Sequence, residues 1–248
     1  MQFQRTEQLI GRDALLRIRQ SFVVVVGLGA VGGLATEALA RAGVGRLRLV
    51  DHDTIRQSNL NRQILATADT LGQKKTEVAE SRVRSISPDC RIETLDTFVH
   101  ADTLDRILAD NPNVVIDAID SLNPKIELVA ELIRRRQTAI SSMGAALRID
   151  PTKIRVGDLA EITHCPLAAF LRKRLRRRQI EPHLPCVYSN EETRLLHRDA
   201  VFPPDETEIH VQEKGRRRSS LGSLPTITGI FGLTAAHWVL MQLSEPQS

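Results

Sequence analysis

Short apolar runs alternate with longer amphipathic stretches through the first 150 residues of the chain. The run at 22–26 reads Phe-Val-Val-Val-Val, which is typical of a central parallel strand buried on both faces. Further strands are predicted at 46–50, 91–95, 114–116 and 138–142. Helices are predicted at 12–20, 30–42, 72–86, 102–109 and 124–136. This alternation predicts a doubly wound, Rossmann-like α/β sheet that is parallel at its centre.

The pattern changes after about residue 150. A strand is predicted at 153–156, a basic helix at 166–178 and a last apolar helix near Pro225, with Ser223 as its N-cap. Residues 179–222 are rich in Pro, charge and turn formers, so an irregular, partly mobile excursion is predicted there. We therefore expect one domain over 1–248, with an α/β core at 1–150 and a C-terminal elaboration at 151–248.

Composition and charge add two constraints. Hydrophobic residues make up 42% of the 248 residues, which allows a substantial core. The net charge of +4 is mild, but its distribution is uneven. Six cations fall within seven positions on the predicted basic helix: Arg172, Lys173, Arg174, Arg176, Arg177 and Arg178. Such a cluster suits a polyanionic partner, and a solvated helix face is the alternative.

The cysteines and the apolar C-terminal segment bear on location. Cys90, Cys165 and Cys186 are widely spaced with no CxxC pair, which argues against a structural zinc site. Their odd number and the lack of a recognisable signal peptide favour the cytoplasm.

The segment 219–244 has no charged residue, but it contains glycines and polar residues. We expect a buried or interface helix there, with weak membrane association as the alternative.

A glycine-rich loop follows the first strand. Gly27, Gly29 and Gly32 lie between that strand and the helix that begins near Ala30. This arrangement permits a tight turn, close backbone approach to phosphate and close helix–strand packing. The helix N-terminus favours an anion, and Asp51 ends the next strand where ribose hydroxyls would lie. A nucleotide site is predicted, and the loop by itself fits NAD, FAD and ATP alike.

The segments that follow favour a triphosphate. Arg62 supplies a planar fork and Lys75 a point charge, and both can stabilise charge on a departing pyrophosphate. Asp120 lies beyond the carboxyl end of a predicted strand, where ligands bind in such sheets. It is a predicted ligand of Mg²⁺, which prefers carboxylate and phosphate oxygens. Taken singly, these residues could equally be surface cations and a helix cap.

The ordered series resembles the ThiF-like superfamily, which includes the adenylation domains of ubiquitin-activating enzymes. The shared motifs are the glycine loop, Asp-x-Asp at 51–53, Asn-Leu-x-Arg-Gln at 59–63, Gly-Gln-x-Lys at 72–75 and Asp-x-x-Asp at 117–120. The resemblance implies adenylation of a carboxylate by ATP. The predicted ATP site comprises Gly27, Gly29, Ala30, Gly32, Asp51, Asp53, Ser58, Asn59, Arg62, Gln63, Lys75, Asp120 and Ser121.

The family's arginine finger implies a homodimer. In the family this arginine reaches the ATP of the neighbouring subunit from an N-terminal motif similar to Arg-Phe-x-Arg. The chain has Gln-Phe-Gln-Arg at 2–5, so Arg5 matches the second arginine and Gln2 replaces the first. Arg5, Arg62, Lys75 and Asp120 are the predicted catalytic residues.

The C-terminal half resembles the branch of tRNA threonylcarbamoyladenosine dehydratases. The matching segments are 149–154, 158–160, 166–169, 186–189 and 222–226. This resemblance implies that a threonyl carboxylate in tRNA is adenylated and then cyclised with loss of AMP. It implies tRNA as partner, bound by the basic helix and by Arg216, Arg217 and Arg218, and no DNA. A cysteine desulfurase is a further candidate partner, but no cysteine lies near Gly222 to accept sulfur.

Three other functions compete with this interpretation. An adenylyltransferase for a ubiquitin-like sulfur carrier is the first, and the missing CxxC pairs and the basic helix count against it. An NAD-dependent oxidoreductase would need only the glycine loop and Asp51, and it would leave Arg62 and Lys75 unexplained. A non-catalytic nucleic-acid-binding protein would not need the series of ATP motifs.

Overall fold

A seven-stranded sheet forms the centre of the chain. The computed structural model describes residues 2–192 and 221–246. The strands are β1 Phe22–Val26, β2 Arg46–Asp51, β3 Arg91–Asp96, β4 Val114–Asp117, β5 Ala139–Ser142, β6 Ile154–Asp158 and β7 Pro185–Ser189. They lie in the order β3-β2-β1-β4-β5-β7-β6, with every pair parallel except β7 and β6. The predicted doubly wound sheet with a parallel centre is confirmed.

Helices cover both faces of this sheet. They are α1 Gln4–Ile10, α2 Arg12–Gln20, α3 Ala30–Ala42, α4 Lys75–Ile86, α5 Leu104–Ile107, α6 Leu122–Arg134, α7 Pro166–Arg177 and α8 Pro225–Ser244. In β1, Val23 and Val25 point toward α2, α3, α4 and α8, whereas Val24 and Val26 point toward α5, α6 and α7. All four valines are fully buried, as the continuous apolar run predicts for a strand covered on both faces.

The structure differs from the predicted elements at several points. Strand β7 lies inside the stretch predicted to be irregular, and its proline occupies the first position, where no ladder donor is needed. Helix α1 was not predicted. Helix α5 is shorter than predicted because Asp110 and Asn111 adopt positive φ angles of 65° and 51° soon after it. The remainder of the predicted excursion, including Arg216, Arg217 and Arg218, lies outside the described residues.

Helix α4 begins at Lys75 and not at Gly72. Gly72 has a φ of +81°, which lies in the left-handed region, and Thr54 pairs with Lys74 in an antiparallel bridge. The residues before α4 therefore run alongside the loop after β2. As a result, Lys75 occupies the first position of its helix, and its backbone N–H donates to the Asp53 carbonyl at 3.1 Å.

Helix α8 packs against α3 in the core. A Cβ added at Gly232 would lie 2.4 Å from the Val31 carbonyl oxygen, so the glycine allows the two helices to approach closely. Among the described helices, this one is long and apolar enough to cross a membrane, but half of its most apolar window is buried inside the protein. The N-cap is Leu224, so the predicted Ser223 cap is wrong. This packing favours the core-helix interpretation over membrane association.

Candidate active site

The glycine loop connects β1 to α3 in the predicted tight turn. Gly27 has a φ of +91°, and a Cβ there would lie 2.8 Å from the Ala118 carbonyl oxygen. At Gly32 a Cβ would meet the Gly27 carbonyl at 1.8 Å, so only glycine lets the helix pack on the loop. These contacts confirm the predicted roles of the two glycines in turn and packing. They also bring the residues after β4 against the loop.

The N-terminus of α3 is open above Gly29. Gly29 is the N-cap of this helix, and no side chain caps it. A Cβ at Gly29 would meet only Gln63 Nε2, at 3.8 Å. Gln63 is only 7% exposed, and its buried Oε1 atom has no hydrogen-bond partner among the described residues. Helix N–H groups and an amide side chain thus face the place where the sequence predicts phosphate.

Asp51 fixes the loop, and Asp53 holds Lys75. The buried Asp51 carboxylate accepts hydrogen bonds from Leu28 N at 2.7 Å and Asp53 N at 2.8 Å. Lys75 Nζ lies 2.9 Å from Asp53 Oδ2 and 4.0 Å from Asp51 Oδ2. Burial acts to raise the pKa of Asp53, but the charge and hydrogen bond of Lys75 outweigh it and hold that pKa below its usual value. Lys75, 5% exposed, therefore faces two carboxylates.

Arg62 belongs to a turn beside Gly29. Asn59 is buried, and its Oδ1 accepts a hydrogen bond from Arg56 N at 3.1 Å, which closes the turn. Arg62 Nη1 donates to the Ser58 carbonyl and to Asn61 Oδ1, both at 2.8 Å. Gln63 N donates to the Asn59 carbonyl at 2.9 Å. The turn holds the Arg62 guanidinium at the surface, with further donor nitrogens available to a ligand.

Asp120 is an exposed carboxylate beyond β4. Ser121 Oγ donates to Asp120 Oδ1 over 3.5 Å, and no ion pair engages Asp120 within the described residues. Ser121 is the N-cap of α6, so Asp120 is not the helix cap. An exposed carboxylate beside the glycine loop fits a Mg²⁺ ligand. The triad Asp51, His52 and Asp53 also brings its ligand atoms within 4.8 Å of one another, but Lys75 lies against it and offsets part of its negative charge.

A buried ion pair next to Asp120 was not predicted. Lys125 Nζ lies 2.6 Å from Asp117 Oδ2, and both side chains are fully buried. Ser141 Oγ donates to the same oxygen at 2.6 Å, and Asp117 Oδ1 accepts from Ile119 N at 3.1 Å. This cluster fixes the loop that leads to Asp120. A lysine on the apolar face of α6, three and four positions before Leu128 and Val129, was the available signal in the sequence.

Arg5 lies away from the glycine loop of its own chain. It is exposed on α1, none of whose residues is buried. The ring of Phe3 lies against Gly43 at the end of α3, and Gln2 Nε2 donates to the Ile86 carbonyl at the end of α4. Both helices begin at the site, so α1 lies at their opposite ends, about 20 Å away for a 13-residue helix. The structure does not bring Arg5 to the other predicted catalytic residues.

The basic helix α7 exposes part of its charge. Leu171 and Leu175 are buried, and Lys173, Arg174, Arg176 and Arg177 are exposed. Two of the predicted cations are engaged within the chain. Arg172 Nη1 donates to the Leu159 and Ile162 carbonyls at 3.1 and 2.8 Å, and Arg178 pairs with Glu127. Four exposed cations therefore remain for an anionic partner.

The three cysteines are free thiols, and all are buried. Burial raises the pKa of the Cys90 thiol to about 11, and it raises the pKa of Cys186 well above its usual value. A buried thiol with a raised pKa is a poor nucleophile. The structure therefore gives Cys90 and Cys186 a packing role.

The fold and the site together define a nucleotide-binding α/β protein whose cations suit a polyphosphate. The ThiF family model matches residues 3–248, and the chain belongs to this family. A tRNA threonylcarbamoyladenosine dehydratase of Bacillus subtilis is 34% identical over 244 residues, which are 98% of this chain and 95% of that protein.

Solved structures show the same relationship. The crystal structure of the E. coli tRNA N6-threonylcarbamoyladenosine dehydratase in complex with ATP has a TM-score of 0.85 at 34% identity and covers 98% of this chain and 93% of that one. A molybdopterin-synthase adenylyltransferase of Salmonella typhimurium is 37% identical, but over only 56% of this chain and 54% of that protein. The similarity to the dehydratases therefore spans nearly the whole chain, whereas the adenylyltransferase match spans little more than half of it.

Proposed function

We propose that this chain is an ATP-dependent tRNA threonylcarbamoyladenosine dehydratase. The observation that carries the proposal is similarity to dehydratases over 98% of the chain, combined with a glycine loop, Lys75 and Asp120 at one edge of the sheet. The adenylyltransferase alternative accounts for the nucleotide site. It does not account for the C-terminal half or for the exposed cations of α7.

The reaction proceeds in two steps. A threonyl carboxylate oxygen attacks the α-phosphorus of ATP, and the bond from that phosphorus to the bridging oxygen breaks to release pyrophosphate. The carbamoyl group of the same substituent then attacks the acyl carbon, closes a ring and expels AMP, which carries away one carboxylate oxygen. The carbamoyl nitrogen loses a proton, so the nucleoside loses one water in total. The attacking group is intramolecular, and no thiol of the enzyme is needed.

Each site residue has a defined part in the first step. The N–H groups at the start of α3 and the amide of Gln63 bind phosphate oxygens, and Asp51 accepts from the ribose. Arg62 and Lys75 stabilise the charge that develops as pyrophosphate leaves. Asp120 would hold Mg²⁺, which neutralises phosphate charge when bound. ATP–pyrophosphate exchange that depends on tRNA carrying the modified nucleoside tests this step.

Binding of tRNA and chemistry are separable by substitution. Replacing Arg174, Arg176 and Arg177 by Ala should weaken tRNA binding and reduce the salt slope of log Kd by about 2–3, because each phosphate contact releases condensed counterions. ATP affinity, measured by calorimetry, should not change. Asp120→Asn should leave tRNA binding unchanged. It should lower exchange by roughly 100-fold or more, because the metal loses a charged ligand.

The control for this comparison is Arg84→Ala, which removes an exposed arginine of α4 that pairs with Glu80. It should leave both tRNA affinity and exchange at the wild-type level. An unchanged salt slope in the triple variant would mean that α7 is only a solvated face and that tRNA binds elsewhere.

The position of Arg5 supports a two-fold homodimer. Arg5 lies far from its own glycine loop, and Leu9 on the same short helix is 86% exposed. An exposed leucine one helical turn from an exposed arginine suits a subunit interface. Arg5 of one protomer would then approach the triphosphate in its partner.

Mixed dimers test the trans role of Arg5. Arg5→Ala and Lys75→Ala should each abolish exchange alone. After subunit exchange, half of the dimers are mixed and each has one intact site, so about a quarter of wild-type activity should return. The measurement is exchange activity of the mixture, with subunit exchange verified by differently tagged chains. No recovery despite verified mixing would rule out the trans role.

A further inference from the structure

A buried arginine at the carboxyl edge of the sheet lacks most of its partners. Arg148 lies in the loop after β5 and is 2% exposed. Its Nη2 donates to the His164 carbonyl at 2.5 Å, whereas Nε and Nη1 have no hydrogen-bond partner among the described residues. Unpaired buried guanidinium nitrogens are costly, and an anion is the acceptor that best offsets this cost.

The same guanidinium lies at the N-terminus of α7. His164, whose carbonyl it contacts, directly precedes the N-cap Cys165. The helix has 12 residues, begins with Pro166 and has no side-chain cap. Its positive dipole end is therefore uncompensated within the described residues. An arginine and a helix N-terminus, which are independent features, thus create positive potential at one place.

An open cleft adjoins this place. It has a volume of about 520 Å³, and it is lined by 162–166, Ala169, Arg172 and Glu192. Arg172 already donates to two backbone carbonyls, so it adds positive charge to the cleft while part of its guanidinium is occupied. Glu192 on the rim is 72% exposed in its side chain and lies 4.0 Å from His164 Nδ1. Its negative charge is thus largely screened by solvent.

The cleft lies at the same edge of the sheet as the nucleotide site. Gly144, two residues after β5, approaches Cys165 Sγ at the start of α7, because a Cβ there would lie 3.8 Å from the sulfur. Strand β5 neighbours β4, which ends just before Asp120. Neighbouring strands are about 4.8 Å apart, so the loop after β5 that carries Arg148 begins one strand from the loop of Asp120 and two strands from the glycine loop after β1.

We infer that Arg148 and the N-terminus of α7 bind the threonyl carboxylate of the substrate nucleoside, an inference that rests on the proposed function. A backbone phosphate of tRNA suits exposed cations such as those on α7. Arg148 is buried and is not among the residues that line the cleft, so its guanidinium suits only a small group at the end of a narrow chain, and the threonylcarbamoyl group is such a group. Its carboxylate must also lie beside the α-phosphate for the first step.

The test uses N-carbamoylthreonine and its methyl ester as inhibitors of tRNA-dependent ATP–pyrophosphate exchange. In the wild-type enzyme the acid should inhibit about 10- to 100-fold more strongly than the ester, the range expected for one charge-assisted contact. Arg148→Met should reduce this preference to near unity while leaving ATP affinity within about twofold. Arg148→Lys, which keeps the charge, should retain part of the preference.

Arg155→Met is the matched control, because Arg155 is exposed on β6 and its Nη1 donates only to backbone carbonyls. It should keep the full preference for the acid. Equal inhibition of the wild-type enzyme by acid and ester would overturn the inference even if no Arg148 variant folds. A full preference for the acid over the ester in a folded Arg148→Met variant would also overturn the inference. Absence of exchange in the wild-type enzyme would instead refute the proposed function.

Discussion

Replacing Lys75 by Met should lower tRNA-dependent ATP–pyrophosphate exchange by about 100- to 1,000-fold, the range for loss of one preorganised charge at a transition state. Lys75 is 5% exposed and is the nearest cation to Asp51 and Asp53 in the described site. Without it, the two carboxylates would face the incoming triphosphate without the cation that lies closest to them. Both ATP affinity and the rate of the chemical step should fall.

Lys74→Met is the control for this substitution. Lys74 precedes Lys75 in the sequence, but it is partly exposed and its Nζ pairs with Asp96 Oδ2 at 2.8 Å, at the end of β3. Its removal should leave exchange within about twofold of the wild type, as is usual for exposed ion pairs. If the two variants lose activity equally, the effect comes from the start of α4 as a whole and Lys75 has no special role.

Replacing Lys125 by Met should destabilise the protein by about 3–5 kcal/mol, because it leaves the Asp117 carboxylate buried without its counterion. Both side chains of the pair have no exposed surface. For a protein of this size the loss corresponds to a fall in Tm of about 6–20 °C. Denaturant unfolding followed by circular dichroism measures the change.

Two further variants separate the causes. Arg178→Met breaks the exposed ion pair between Arg178 and Glu127, which lies on α6 as Lys125 does. It should lower the free energy of unfolding by no more than about 1 kcal/mol. The double variant Lys125→Met with Asp117→Leu removes both buried charges and should recover part of the loss, although Ile119 N then lacks its acceptor. A double variant as unstable as the single one would contradict the ion-pair explanation.

The sequence predicted the sheet well because its strands are defined locally. A run of four valines after Phe22 is typical of a strand buried on both faces. Helix α3 begins and ends where predicted because Gly29 and Gly43 mark its ends. Strand β7 was missed because it is short and is held by pairing with β5 and β6, and local patterning does not report such pairing.

The candidate site was predicted as a set of residue types, and its contacts were not. Asp51 was predicted to bind ribose, but the structure shows that it also holds Leu28 and Asp53 through their N–H groups. Lys125 was missed because its partners Asp117 and Ser141 are 8 and 16 positions away. Arg148 was missed because its partner, the His164 carbonyl, is 16 positions away in the sequence.

The most direct test of the central claim is to incubate the purified chain with ATP, Mg²⁺ and tRNA that carries threonylcarbamoyladenosine, and to analyse the digested nucleosides by mass spectrometry. We expect the modified nucleoside to be converted to a product lighter by one water, with one AMP and one pyrophosphate formed per product. Recovery of unchanged nucleoside, together with adenylation of a ubiquitin-like carrier protein, would contradict it.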